Sequence, residues 1–234
     1  MLQQPTNEMN ETNEGQDPTA ISPEWTFKDK SVAANFNRHV REQLPWYDMA
    51  TELITHVGRH YLPQGGRMYD VGSSTGNITR ALKAEIQGRN VEAVSLDISP
   101  EMVDVWDGVG VNHLADVQTF EFKGYDFLVC FLVLMFLPPM QQRAVFSRMF
   151  SQLRPGGAMV VFEKIEAQDG YLGTVFHRLT IHGKVKSGVS PDNIIKKELS
   201  LEGVQRPLPA TFMCATHAEV MFRYGEFIGW VIIR

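Results

Sequence analysis

The sequence predicts an α/β fold: a mostly parallel, seven-stranded sheet with a C-terminal antiparallel hairpin, a helical cap at its N-terminal end and a helical insertion. Three observations lead there. Apolar, strand-like runs alternate with helical stretches through the middle of the chain, a rhythm that builds a parallel sheet covered on both faces. Two further apolar runs lie close together near the C-terminus, divided at Tyr224 to Glu226, as a hairpin requires. The 234 residues also suit one large domain, since a single core can grow to roughly 250 residues before it splits.

Taken in order, residues 1–23 are rich in Asn, Glu, Gln and Pro, with few aliphatics to offset their ordering entropy, and read as a disordered tail. Residues 24–234 form the expected domain, beginning with a helical cap over 24–64. There Val32, Phe36, Val40 and Leu44 recur at helical spacing, and after Pro45 so do Met49, Leu53, Val57 and Tyr61. Strands are expected at RMYDVG, VEAVSLD, YDFLVCFLVL and AMVVFEKI, with a weaker one at Val111 to Leu114. Helices are expected at ITRALKAEI, PEMVDVW and QQRAVFSRMFSQL, the last stopped by LRPGG. An insertion over 166–210, helical from Thr174 to Leu201, is expected over the sheet's carboxyl edge, and AEVMFRYGEFIGWVIIR closes the sheet.

Composition narrows the function. The formal charge of −5 argues against broad capture of nucleic acid and favours a small or neutral substrate. No apolar run approaches the ~20 residues that cross a bilayer, and the first residues lack a basic and apolar leader, so the expected address is cytoplasmic. Cys130 and Cys214 stand alone, without metal-ligand spacing, and read as packing residues; no metal site is expected.

In an open α/β sheet, ligands bind beyond the carboxyl ends of the strands. The first strand-to-helix turn, MYDVGSSTGNITRAL, ends a strand at Asp70 and supplies Gly72 for close backbone approach and Gly76 at the mouth of a helix, whose amides suit an anionic group such as a carboxylate. There is no GxGxxG and no Gly-Lys-Ser/Thr, so a cofactor without phosphates fits better than a nucleotide. Asp97, ending the second strand, is placed for ribose hydroxyls, and Asp116, after the third, for an adenine amino group.

The order DVGSSTG, Asp97, LRPGGAMVVFEK resembles the motif series of the Rossmann-like class I methyltransferase fold, which implies S-adenosyl-L-methionine as cofactor. More closely, EWTFKDKSVAANF, LPWYDMATELI, YDVGSSTGNIT, SLDISPEMV and QLRPGGAMVVFEK resemble the carboxy-S-adenosylmethionine synthase family (CmoA type) of tRNA wobble-uridine modification, together with related methyltransferases. That resemblance implies cofactor contacts from Tyr47, Gly72, Ser73, Ser74, Asp97, Ile98, Asp116 and Val117, with Tyr47 reaching the methionine end. It also implies a homodimer. Two positions depart from the family. Where the synthases read QKRSMLENV, with an arginine on the extra carboxylate, KKELSLEGV places Glu198; and Phe131 replaces an asparagine at the end of the fourth strand, beside the cofactor. PLPATFMCATH stands in place of a helix before the hairpin.

These readings lead to a methyltransferase acting on a small-molecule or nucleoside-type acceptor, with His177 or His182 of the insertion as candidate base. Two alternatives stand beside it. One is a carboxy-S-adenosylmethionine synthase using prephenate and S-adenosylmethionine, opposed by Glu198. The other is a cofactor-binding interaction protein without catalysis. Lys184, Lys186, Lys196 and Lys197 read as a solvated helix face or as a site for an acidic substrate.

Overall fold

A computed structural model describes residues 30–214 and 216–234, so the expected tail and the first residues of the expected cap, 24–29, lie outside the described residues. The cap consists of α1 (Lys30–Gln43) and α2 (Tyr47–Tyr61). Seven strands follow: β1 (Arg67–Val71), β2 (Glu92–Asp97), β3 (Val111–Leu114), β4 (Tyr125–Phe131), β5 (Leu153–Lys164), β6 (Ala218–Tyr224) and β7 (Phe227–Ile233). Their order in the sheet is β3-β2-β1-β4-β5-β7-β6, and β7 runs antiparallel to both its neighbours while every other pair is parallel. The chain leaves β1 toward β2 and β3 on one side, then returns to β4 on the other. The crevice beyond the ends of β1 and β4 is therefore the switch point at which such sheets bind ligands.

Alternating side chains of the central strands feed two cores, because neighbouring residues of a strand face opposite sides. Met68, Phe127, Val129 and Val160 pack with Ala50 and Ile54 of α2 and with Ile78 and Leu82. Tyr69, Leu128, Cys130 and Val161 pack on the other side with Val145, Phe146 and Met149. These last three belong to α6 (Pro139–Ser151), whose buried positions fall three and four residues apart. Among the described residues, no helix is long and apolar enough to cross a membrane.

Several boundaries differ from the sequence reading, each for a physical reason. The helix expected over ITRALKAEI breaks at Leu82 (φ −96°, ψ 11°) into α3 (Asn77–Ala81) and α4 (Lys83–Gly88), and that expected over PEMVDVW is α5 (Pro100–Asp104). Likewise, the fourth strand stops at Phe131 although Leu132 to Leu134 continue its apolar run. Leu132 turns to φ +60°, and the next three backbone N–H groups bind the Glu163 carboxylate instead of a strand neighbour. LRPGG does not end a helix as a free turn but lies inside β5, where a register shift against β4 accommodates it and Gly156 and Gly157 bond the backbone of Arg234. The region Thr174 to Leu201 is two helices, α7 (Gly170–Lys186) and α8 (Pro191–Ser200), the second capped by the Ser190 hydroxyl. Within PLPATFMCATH, Leu208 bridges to Ile165 and residues 210–214 form turns, with Leu208, Phe212 and Met213 buried. Cys130 is buried as expected of a packing residue; Cys214 is exposed and is not one.

Candidate functional site

At the end of β1 the chain makes a tight turn that only small residues allow. Gly72 has φ +67°, and a Cβ there would lie 2.4 Å from Val133 Cγ2; Gly76 has φ +84°, and a Cβ there would lie 2.5 Å from the Gly108 nitrogen. Gly72 N–H and Ser73 N–H both donate to the Leu96 carbonyl, at 2.8 and 3.0 Å. The turn is tied to the cap at two points. Thr75 Oγ1 meets Asn37 Oδ1 at 2.9 Å, and Asn77 Nδ2 donates to Thr51 Oγ1 at 2.9 Å. Asp97 accepts from Ser74 N–H at 2.8 Å and from Ser99 N–H at 2.9 Å, which fixes its carboxylate beside the turn. Asp116 accepts from Gln118 N–H at 2.8 Å.

Beside this turn lies a cavity of about 340 Å³, within the usual size for a small-molecule site. Of the residues expected to bind the cofactor, Tyr47, Asp70, Gly72, Ser73, Ser74, Asp97, Ile98, Asp116, Val117 and Phe131 line it. Gly76 lies just behind, as the cap of α3. Tyr47 stacks on Phe131, ring centroids 5.2 Å apart and planes 11° from parallel, so the position where the family has an asparagine is occupied by an aromatic floor. The Asp70 Oδ2 atom is buried without a hydrogen-bond partner. Burial, with a further push from Asp97, raises its pKa to about 7. Burial, then Asp70, likewise pushes the Tyr47 phenol above its ordinary range, so it stays a neutral donor.

Glu163 holds the opposite loop. Fully buried at the end of β5, its Oε1 accepts from Val133 N–H (3.0 Å) and Leu134 N–H (2.7 Å), and its Oε2 accepts from Met135 N–H (3.1 Å). Burial raises its pKa to about 8 despite these three donors. Of the residues so fixed, Val133 and Met135 line the cavity, as does Leu132 just before them.

Much of the remaining wall comes from α1, α7 and α8, and of it His39, Gln43 and Thr180 were not singled out from the sequence. Phe36, His39, Val40, Gln43 and Leu44 line the cavity at helical spacing, together with Thr180, Lys184, Lys197 and Glu198. The signal was present: His39 and Gln43 sit on the apolar stripe of α1, an odd place for polar side chains unless they face a ligand. Burial, then the charges of Lys197, Arg38 and Lys184, lower the His39 pKa to about 4, so its imidazole is neutral at pH 7. His177 and His182 are not brought into the cavity. His177 Nδ1 lies 3.6 Å from Glu226 on a half-exposed surface, and His182 is exposed. Among the four lysines noted in the insertion, Lys184 and Lys197 are buried, whereas Lys186 and Lys196 are exposed. The buried pair flanks Glu198: Lys184 Nζ donates to its Oε1 at 2.8 Å. Burial acts against ionisation of Glu198, but Lys184, followed by Lys164 and His177, brings its pKa below the usual range.

Residues 68–157 match the family described as methyltransferase domain. The chain is 27% identical over 226 residues to carboxy-S-adenosyl-L-methionine synthase of Staphylococcus epidermidis, covering 90% of this chain and 97% of that one. It is 26% identical over 242 residues to the enzyme of that name from Shewanella denitrificans, covering 95% and 100%. Among solved structures, human N-acetylserotonin methyltransferase in complex with S-adenosylmethionine aligns with TM-score 0.58 at 11% identity, over 89% of this chain and 57% of that one. An S-adenosylmethionine-dependent methyltransferase of Clostridium acetobutylicum aligns with TM-score 0.55 at 9% identity, over 86% and 98%. At such identities the likeness is one of fold.

Proposed function

We infer the reaction of this chain from the premise that it is a class I, S-adenosyl-L-methionine-dependent transferase, resembling the carboxy-S-adenosylmethionine synthases and their methyltransferase relatives. We propose that it transfers the methyl group to a small-molecule or nucleoside-type acceptor. The observation that carries this reading is a single cavity joining the glycine turn, Asp97 and Asp116 to the α1, α7 and α8 wall, which offers one space for cofactor and another for acceptor. The residues fit the cofactor. The Gly72 to Ser74 backbone and the unpartnered Asp70 carboxylate suit its charged amino-acid end, Asp97 its ribose hydroxyls, Asp116 its adenine amino group, and Ile98 and Val117 its apolar faces.

When bound, the cofactor supplies an activated methyl group. The chain's own part is to place the acceptor, exclude water and accept a proton where the acceptor must lose one. Among the described histidines, His39 is the one lining the cavity, a position that favours it as base over His177 and His182, although burial, lowering its pKa to about 4, makes it a weak one. A homodimeric, cytoplasmic enzyme accords with the family resemblance.

A second reading is synthesis of carboxy-S-adenosylmethionine, favoured by the names of the relatives and by the pairing of Glu198 with Lys184, which offsets the negative charge standing where the synthases have arginine. Incubation with S-adenosylmethionine, with and without prephenate, followed by mass spectrometry of cofactor and acceptor pools, separates the readings. S-adenosylhomocysteine formed together with a methylated acceptor supports methyl transfer. Carboxy-S-adenosylmethionine formed only with prephenate supports the second reading, and binding without either product leaves a non-catalytic interaction protein.

A further inference from the structure

Several polar groups in the cavity wall hold one another. Lys184 donates to Glu198 and Lys164 to Gln205, while Asp97 and Asp116 accept from backbone N–H groups. Gln43 stands apart. It ends α1, lines the cavity and is only 7% exposed, and its Oε1 atom is buried with no hydrogen-bond partner among the described residues. Such an oxygen costs the folded chain the hydration it gave up, a cost that a ligand donating to it removes. The helix does not demand glutamine there, since methionine and leucine have about the same helix propensity, and Phe36, Val40 and Leu44 on the same lining stripe are apolar. Asp70 Oδ2 is in the same condition at the glycine turn, where the cofactor's charged end is proposed to meet it. Gln43 belongs to the cap instead, on none of the strand ends proposed to hold the cofactor. Four residues further on, Tyr47 stacks on Phe131, and both line the cavity, which gives this wall an aromatic surface suited to a flat body.

Building on the methyl-transfer reading, we propose that the acceptor carries an O–H or N–H group on a flat, apolar body and that Gln43 Oε1 receives that hydrogen. Gln43 is thus a specificity-determining residue. An analogue of the same shape without the donor leaves the oxygen buried and unpaired, a penalty larger than the gain from a methyl group in the donor's place.

The first test needs no cofactor. Gln43→Met, close in shape and in helix propensity but without the carbonyl, melts about 2 °C or more above the wild type, because a buried oxygen that nothing pairs has been removed. A melting temperature no higher than the wild type's, or a variant too unstable to fold, would show the amide holding the fold and overturns the proposal. The second test uses the full chain saturated with S-adenosylhomocysteine, with which no transfer can occur, and titrates phenol, aniline and toluene, followed by NMR. Burial alone favours toluene, the most apolar of the three, yet phenol or aniline binds about tenfold or more tightly, and the tighter of the two tells hydroxyl from amine. In Gln43→Met that preference is lost, while S-adenosylhomocysteine binds both proteins within about twofold. The proposal is overturned if toluene binds the wild type as well as both donors do, if neither donor binds the loaded protein, or if the folded variant keeps the preference or loses S-adenosylhomocysteine affinity. Failure of S-adenosylhomocysteine to bind the wild type would refute the methyl-transfer reading, and the melting comparison would still judge this one.

Discussion

Asp70 is the buried group whose replacement gives the sharpest quantitative outcome. Its carboxyl is 2% exposed, one oxygen has no partner, and burial followed by repulsion from Asp97 raises its pKa from 3.8 to about 7. An acid whose folded pKa lies above its unfolded value holds its proton longer in the folded chain. Stability from this group is therefore fully present below the unfolded pKa and declines as pH rises toward and through the folded one. Between about pH 5 and about pH 8, the two values place the loss near 2.5 kcal/mol in the ligand-free protein. Asp70→Asn keeps the shape and cannot ionise, so this portion of the pH dependence disappears. Glu163, His39 and Lys197 also titrate with shifted pKa values, but they are common to both proteins and cancel in the difference. Urea unfolding of both proteins at the two pH values measures it. A wild-type decline equal to that of Asp70→Asn would refute the reasoning. A cationic cofactor group at Asp70 favours its ionised form, so cofactor binding near pH 7 releases a proton in the wild type, and Asp70→Asn abolishes that release in calorimetry across buffers of different ionisation enthalpy.

Other consequences follow from the same geometry. Glu163→Ala leaves three buried N–H groups of the Val133 to Met135 loop without their acceptor and costs about 3 to 5 kcal/mol in urea unfolding, whereas Glu163→Gln, which retains one carbonyl oxygen, costs less. Gly72→Ala introduces a Cβ 2.4 Å from Val133 at φ +67° and destabilises by about 1 to 3 kcal/mol; adding Val133→Ala relieves the clash but not the dihedral strain, so rescue is partial. His177→Ala and His182→Ala, outside the cavity, leave S-adenosylhomocysteine affinity within about twofold of wild type in titration, a difference of roughly 0.4 kcal/mol.

The sheet and the half of the candidate site proposed for the cofactor were legible because both are written locally. A strand, Asp70, a turn with Gly72 and Gly76, and a carboxylate after the next strand follow one another along the chain, and βαβ topology brings strand ends to one crevice. The half proposed for the acceptor depends on how α1, α7 and α8 pack, which no short segment encodes. His39 and Gln43 could have been suspected from their place on the apolar stripe of α1. By contrast, Lys184 and Lys197 are indistinguishable in sequence from the exposed Lys186 and Lys196 until the helices dock. Glu163 shows a third kind of difficulty. Ending an apolar strand, it looks like the first solvated residue after it, yet the backbone it binds belongs to a loop about thirty residues earlier, a long-range pairing that also cut short the strand expected over YDFLVCFLVL.

The central claim is that the crevice at the end of β1 and β2 holds S-adenosylmethionine, and equilibrium titration of that cofactor onto the wild type and Asp97→Ala tests it most directly. The account predicts one site per chain in the wild type and an affinity at least about tenfold weaker in the variant, where ribose hydroxyls lose their acceptor and Ser74 N–H its anchor. No binding to the wild type, or equal binding to a folded Asp97→Ala, would contradict it.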